Sequence, residues 1–217
     1  MKRKEGLEEL VKNFDYELDN EEGIGHSNDW YNVHINMLYN ELCEIRDTMF
    51  VFGEVEKEWE KRAEFKLISY SRVRSIIYNA LPYKVIMGLS KIFVGTKEFS
   101  LEKTINVISQ RDVYKQKKKV REAVENIRSF LNDSIMVKNV TEYRDNFFGH
   151  LDASCAMSDI RISPSEAMQY ISISDVDKGI ELIGNLYKEC FGIELKETQN
   201  SIEIEDIIQT FFGCSKR

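Results

Sequence analysis

The run INMLYNELCEIRDTMFVFGEVEKEW, residues 35–59, says most about the architecture of this chain. Its large apolar residues recur every three or four positions, as on one face of a helix, and only Glu56 interrupts them. They are Ile35, Leu38, Leu42, Ile45, Met49, Phe52 and Trp59. The charged residues between them predict a solvated face: Glu41, Glu44, Arg46, Glu54, Glu58 and Glu60. The segment is either a coiled-coil seam or, the interpretation we favour, a long helix of an antiparallel bundle.

The composition of the chain favours helices throughout. Its 217 residues include only two prolines and eleven glycines, whereas all-β folds need many turn signals. Hydrophobic residues make up 42% of the chain and charged residues 31%, which is enough apolar material for one sizeable core. We therefore predict an all-α, single-domain antiparallel helical bundle of about six to eight helices over residues 1–217.

Helix breakers place the elements that follow the long helix. Residues 62–94 are predicted to form one kinked helix or two, with Pro82 in the first turn of the second, which ends near Gly95. Ser100 is the expected N-cap of the next helix. Residues 111–131 are then expected to form a single helix on an apolar stripe of Val120, Val124, Ile127 and Leu131.

Capping signals predict two more helix starts towards the C-terminal end. SPSE, residues 163–166, has the form of a capping box with proline at the first helical position. SDVD, residues 174–177, leads into a helix that is expected to end at Gly192. The acidic segment 196–217 is either an appended helix or only loosely attached.

We predict no targeting or membrane-spanning segment. The N-terminal residues are basic but lack the apolar core of a signal peptide. The longest apolar region, residues 80–95, is broken by Lys84 and Lys91 and falls short of the roughly 18 residues of a membrane span. The cysteines form no C-x-x-C pair, which favours free thiols in a reducing compartment over a zinc site: Cys43, Cys155, Cys190 and Cys214. We therefore expect a cytoplasmic protein.

Motifs for nucleotides and metals are missing from the sequence. It has no G-x-x-x-x-G-K-[ST] loop, no G-x-G-x-x-G loop and no H-E-x-x-H pair. The histidines, His26, His34 and His150, have no glutamate three positions before them, as a di-metal bundle requires. We therefore predict no metal and no cofactor. The net charge of -7 argues against a protein that coats nucleic acid, but it is compatible with RNA chemistry at one local site.

The segment 111–121 is locally basic. Its positive charges stand against Asp112 alone: Arg111, Lys115, Lys117, Lys118, Lys119 and Arg121. A solvated helix face is the interpretation we favour, and a phosphate-steering patch is the alternative.

The segment YRDNFFGHLD, residues 143–152, carries the candidate site. On a helix at about 100° per residue, one face collects the apolar residues Val140, Tyr143, Phe147 and Leu151. Arg144 and His150 flank this face about 120° apart, so one straight helix does not bring both to a short ligand. A second copy, packed antiparallel across a two-fold axis, brings Arg144 of one copy near His150 of the other. Gly149 either ends the helix before His150 or lets a partner backbone approach.

These residue types suit phosphodiester chemistry. An arginine fork binds a phosphate through two hydrogen bonds and stays charged at any working pH. A histidine takes or gives a proton near neutral pH, and Asn146 can orient the imidazole or the phosphate. Together they are the parts needed for metal-free phosphodiester transfer to a ribose 2′-hydroxyl, which only RNA carries. The alternative is the end of an ordinary core helix with polar residues on its rim.

The nine residues RDNFFGHLD resemble the signature of the HEPN superfamily, with five residues between Arg144 and His150. With LPYKVIMGLSKIFVG (81–95) and FSLEKTINVIS (99–109) before them, the chain is similar to HEPN proteins of the abortive-infection AbiU type over residues 30–190. The resemblance implies an all-α bundle that forms a homodimer through the motif helices. It also implies a metal-independent endoribonuclease that serves as a toxin or antiphage effector.

The resemblance also implies roles for single residues. Arg144 would contact the scissile phosphate, His150 would be the acid/base group and Asp145 would support them. Helix geometry favours Asn146 for that support, and both stay candidates. Asp152 stands where related toxins with a nucleotidyltransferase antitoxin often carry a tyrosine, so control by modification there is not expected. An antitoxin or regulatory protein is a candidate partner, and a catalytically inactive HEPN-fold binding module is the alternative function.

Overall fold

The structure, a computed structural model, describes residues 28–61, 70–95, 100–148 and 167–196. Seven helices are bounded in these ranges, and no strand occurs in them. In chain order they are α1 (Asn28–Lys61), α2 (Tyr70–Phe93), α3 (Leu101–Gln110), α4 (Asp112–Lys115), α5 (Lys118–Asp133), α6 (Ile135–Phe148) and α7 (Ile173–Phe191). The predicted all-α class is therefore confirmed.

The apolar stripe of α1 lies in the core as its spacing predicts. All seven stripe residues from Ile35 to Trp59 are buried. Val55 is buried as well and continues the spacing of three and four residues between Phe52 and Trp59. The predicted interruption at Glu56 is therefore wrong, because Val55, the residue before it, continues the apolar stripe.

Helix α1 packs antiparallel against both α2 and α7. Towards the C-terminal end of α1, the Phe52 ring lies 5.4 Å from the ring of Tyr78 in α2. Earlier in α1, Glu44 accepts a hydrogen bond from Lys84, which comes later in α2. The residue numbers therefore run in opposite directions along the two helices. Against α7, Tyr187 donates to Asn32 of α1, and Arg46 lies 3.7 Å from Asp177. Because α1 packs on two helices of its own chain, the bundle interpretation is confirmed.

Pro82 lies inside α2, which corrects the prediction that it begins a new helix. An internal proline costs about 3 kcal/mol or more, because it removes a backbone hydrogen bond and crowds the preceding turn. Here Pro82 is itself buried, and Val85 and Ile86 on the next turn are fully buried, so packing offsets the cost. The helix ends at Phe93, and Gly95 adopts a φ of 93°, as the predicted end near Gly95 requires.

The predicted single helix over 111–131 is divided into α4 and α5, which is a second correction. The break falls at Gln116 and Lys117, after Tyr114 has entered the core. The Tyr114 ring lies 6.4 Å from that of Tyr31 and 6.2 Å from that of Phe191, both in edge-on contacts. Burial of this tyrosine between α1 and α7 requires the chain to turn before α5 begins.

The predicted N-cap at Ser100 and the predicted helix end at Gly192 are confirmed, and the predicted start of α7 is shifted. The Ser100 hydroxyl caps α3 by accepting a hydrogen bond from the Lys103 N–H at 3.2 Å. Gly192 ends α7 with a φ of 73°, a left-handed conformation that favours glycine. Helix α7 begins at Ile173 with Ser172 as its N-cap, two residues earlier than the predicted signal at Ser174. The signal at 163–166 and the segment from 197 onward lie outside the described residues.

The remaining structural predictions concern thiols, histidines and membrane contact. Cys43 and Cys190 are buried free thiols, as expected, whereas Cys155 and Cys214 lie outside the described ranges. His34 is buried in α1. None of the helices described by the structure combines the length and the apolarity needed to cross a membrane.

Candidate functional site

Arg144 lies half-buried near the end of α6, on the wall of a cavity of about 630 Å³ between α1, α2 and α6. Helix α2 supplies most of the wall, including Tyr83, Lys84 and Lys91, and α1 contributes Glu41. The two lysines and Tyr83 are exposed, so the cavity opens to solvent at their side. Arg144 therefore shares one accessible cavity with two further cations.

One face of α2 presents these residues to the cavity because of helical spacing. Lys84, Gly88 and Lys91 follow one another by four and three residues, and Tyr83 stands beside them. The opposite face is apolar and is buried in the core: Val85, Ile86, Leu89 and Ile92. Burial of that face fixes the rotation of α2 and directs its lysines into the cavity.

Arg144 is positioned by the buried face of α6. Val140 and Tyr143 are buried, as the wheel of the motif predicts, and α6 packs against α2. The Tyr143 ring lies 6.2 Å from the Tyr170 ring, and the Asn139 amide donates to the Tyr170 carbonyl at 3.3 Å. Burial raises the pKa of Tyr143 above its ordinary value, with Tyr170 and Glu142 adding to the effect. A neutral tyrosine thus anchors α6 one residue before the arginine.

The charges of the cavity favour an anionic ligand. Among the lining residues that the structure describes, Lys84, Lys91 and Arg144 are set against Glu41 alone. The Lys84 ammonium also donates to Glu44, which is exposed and does not line the cavity. Because Arg144 is half-buried, a phosphate bound to its guanidinium would be partly shielded from water, which strengthens a charge-assisted pair of hydrogen bonds.

The structure describes only part of the predicted motif. The backbone of Asp145 and Asn146 is helical, but their side chains lie outside the described residues, as do Gly149 and His150 entirely. The Arg144–His150 pair, the choice between Asp145 and Asn146, and the role of Gly149 therefore stay predictions. Helix α6 reaches at least Phe148, which carries the backbone to within two residues of His150.

Sequence reasoning missed the contribution of α2. In the sequence, Lys84 and Lys91 are noticed only as charges that interrupt an apolar segment. They are seven residues apart, two helical turns, and so lie on the same face of the helix. Two cations in register on one face of an otherwise apolar helix are the signal that would have indicated them.

The basic segment 111–121 lies elsewhere. Its lysines and Arg121 are exposed, as both a solvated face and a phosphate-steering patch require, so the choice between the two stays a prediction. Arg111 is half-buried, with its guanidinium 4.8 Å from the centre of the Tyr31 ring. Lys118 pairs with Glu122 at 3.5 Å on the surface of α5. Lys115, Lys118 and Arg121 line a second cavity of about 530 Å³ between α3, α4 and α5, and no residue of 111–121 lines the Arg144 cavity.

Within the described ranges, no three histidine, cysteine, aspartate or glutamate side chains are grouped as metal ligands would be. No protein-family model, curated protein or solved structure matches the chain.

Proposed function

We propose that this chain is a metal-independent endoribonuclease of the HEPN type that acts in the cytoplasm as a toxin or antiphage effector. The observation that carries the proposal is the position of Arg144 on the wall of a cavity that it shares with Lys84 and Lys91. An RNA strand supplies phosphates for all three cations, and the motif supplies a histidine six positions after the arginine. The resemblance of residues 143–152 to the HEPN signature supports the same assignment.

In the proposed reaction, Arg144 binds the scissile phosphate and stabilises the charge that develops on its oxygens. The ribose 2′-oxygen forms a bond to phosphorus while the bond from phosphorus to the 5′-oxygen breaks. A His150 imidazole takes the proton of the 2′-hydroxyl, and an imidazolium returns a proton to the leaving 5′-oxygen. Asp145 or Asn146 orients the histidine. The products are a 2′,3′-cyclic phosphate and a 5′-hydroxyl, and the atoms balance without water or metal.

We propose that the active form is a homodimer in which two α6 helices meet. A helix places Arg144 and His150 about 120° apart, so the two groups of one copy do not converge on one phosphate. A two-fold axis beside α6 pairs each arginine with the histidine region of the other copy. Because an unrestrained ribonuclease in the cytoplasm would harm its host, we include an antitoxin or regulatory protein among the partners.

Expression in a bacterial host tests the proposal, with the wild type, Arg144→Ala, His150→Ala and the control Arg121→Ala. Arg121 is an exposed arginine that lines the other cavity, so its loss removes the same charge without touching the site. We expect growth arrest and RNA loss with the wild type and with Arg121→Ala only. Purified wild type should cleave RNA in EDTA, and His150→Ala should be slower by about 100-fold to 10,000-fold.

Two outcomes would contradict the proposal. If all four proteins are harmless and purified folded protein leaves RNA intact, the chain is not a nuclease; RNA binding without cleavage would then indicate a binding module. A strict monomer in light scattering at concentrations where the enzyme is active would rule out the composite site.

A further inference from the structure

Tyr83 is the aromatic residue among the described residues that line the Arg144 cavity. Its side chain is 47% exposed, and it stands next to Lys84 on the α2 face that also carries Lys91. Tyr83 and Lys91 are eight residues apart, ~12 Å along the helix axis. The cavity wall therefore presents a half-exposed ring at one end of a row of cations.

An aromatic ring beside a cationic row is the combination that single-stranded nucleic acid requires. The cations follow the phosphates, and a nucleobase stacks on the ring whatever its identity, because every base has a π-face. A base in a duplex already has neighbours on both of its faces, and the major groove of an RNA duplex is too narrow for side chains to read. A stacking residue in a phosphate-binding cavity therefore selects unpaired RNA.

We propose that Tyr83 stacks on an unpaired nucleobase of the RNA strand whose phosphates are held by Arg144, Lys84 and Lys91, and that this contact makes the protein bind a single strand more tightly than a duplex. This inference rests on the proposed function. It makes Tyr83 a substrate-binding residue that sets strand selectivity, distinct from the groups that carry out the cleavage.

The test measures binding of the full-length protein to a fluorescent 2′-O-methyl oligonucleotide, which lacks the nucleophile and stays intact. Tyr83→Ala should weaken binding by about 5-fold to 150-fold, the usual effect of removing one aromatic stacking partner. Tyr83→Phe and Tyr83→Trp keep a ring and should bind as the wild type does. Tyr83→Leu keeps apolar bulk without a π-face and should resemble the alanine variant. Phe50→Ala is the matched control, because Phe50 is 42% exposed on α1 and does not line the cavity.

An abasic strand of the same length distinguishes stacking from a merely structural role. The wild type should lose affinity for the abasic strand, and Tyr83→Ala should bind intact and abasic strands equally. A duplex should bind more weakly than the single strand, and Tyr83→Ala should not change its binding.

Each remaining outcome overturns a defined claim. If the wild type binds RNA and Arg144→Ala weakens it, but Tyr83→Ala changes nothing or lowers intact and abasic binding equally, the stacking inference is wrong and the proposed function stands. If wild type and Arg144→Ala both leave the single strand unbound, the phosphate site and the proposed function fail together. Thermal unfolding of each variant shows whether it has folded as the wild type does.

Discussion

Gly88 of α2 lies directly against Ile45 of α1: a Cβ atom at position 88 would come within 2.7 Å of the Ile45 Cδ1 atom. Ile45 is buried, and Gly88 also lines the Arg144 cavity. The absence of a side chain at Gly88 therefore lets the two long helices approach closely, at the level where α2 presents Lys84 and Lys91.

Gly88→Ala should lower the free energy of unfolding. Overpacking of a core contact costs about 1–3 kcal/mol, and the better helix propensity of alanine returns about 1 kcal/mol of it. Gly53→Ala is the control, because Gly53 lies in the interior of α1 with no atom within 4 Å of the added Cβ. That variant should gain up to about 1 kcal/mol in urea unfolding. If the two alanines stabilise the protein equally, the Ile45 side chain does not resist a methyl group at position 88.

Leu42→Ala should cost about 2–5 kcal/mol of unfolding free energy, because Leu42 is fully buried on α1 against Gly179 of α7 and its truncation leaves a cavity. Met37→Ala on the same helix should change stability by no more than about 0.5 kcal/mol, since Met37 is 52% exposed. Denaturant unfolding of both proteins measures the difference. Equal losses of unfolding free energy would mean that Leu42 and Met37 do not lie on the buried and the exposed face of α1, respectively.

Burial of Cys190 should make stability depend on alkaline pH. Desolvation raises the pKa of its thiol from about 9 to about 12; Lys117 opposes this shift and Glu189 adds to it. The native state therefore holds the thiol proton more tightly than the unfolded chain does. The stabilising effect of the buried thiol is complete below about pH 9 and is lost as the pH rises towards 12.

Urea unfolding at stepped pH values tests this dependence in the wild type and in Cys190→Ala. The free energy of unfolding of the wild type should fall across the alkaline range, and the fall should be shallower in the alanine variant. Tyr31, Tyr114 and Tyr143, whose pKa values burial also raises, remain in both proteins and contribute to the rest of the slope. Parallel curves for the two proteins would show that Cys190 does not titrate as described.

Lys91→Ala should weaken RNA binding to a similar extent for every sequence and reduce its dependence on salt. Each lost phosphate contact lowers the slope of log affinity against log salt by about 0.7 for a single strand. Lys119→Ala is the matched control, because Lys119 is exposed on α5 and lines neither cavity. Binding isotherms at several salt concentrations give both slopes. An unchanged slope for Lys91→Ala would remove this lysine from the phosphate site.

Much of the fold was predictable because helical periodicity is a local property. The spacing of residues such as Leu42 and Ile45 is enough to identify the buried face of α1, and Ser100 and Gly192 mark helix ends through their own chemistry. Tertiary contacts decided what the spacing could not. Pro82 is held inside α2 by burial of the surrounding turn, and insertion of Tyr114 into the core divides the helix predicted over 111–131.

The candidate site was predictable only where it lies on one segment. Arg144 belongs to a short motif whose spacing is visible in the sequence. Lys84, Lys91 and Tyr83 lie on a different helix, and they share a cavity with Arg144 only because α6 packs on α2. No sequence pattern records which faces of two distant helices will meet.

Identification of the cleavage products tests the central claim most directly. Purified wild-type protein is incubated in EDTA with a defined single-stranded RNA, and the new ends are identified by mass spectrometry. We predict 2′,3′-cyclic phosphate and 5′-hydroxyl ends with the wild type, no products with Arg144→Ala, and no cut where the ribose lacks its 2′-hydroxyl. Intact RNA with the wild type, or equal cleavage by a folded Arg144→Ala variant, would contradict the account.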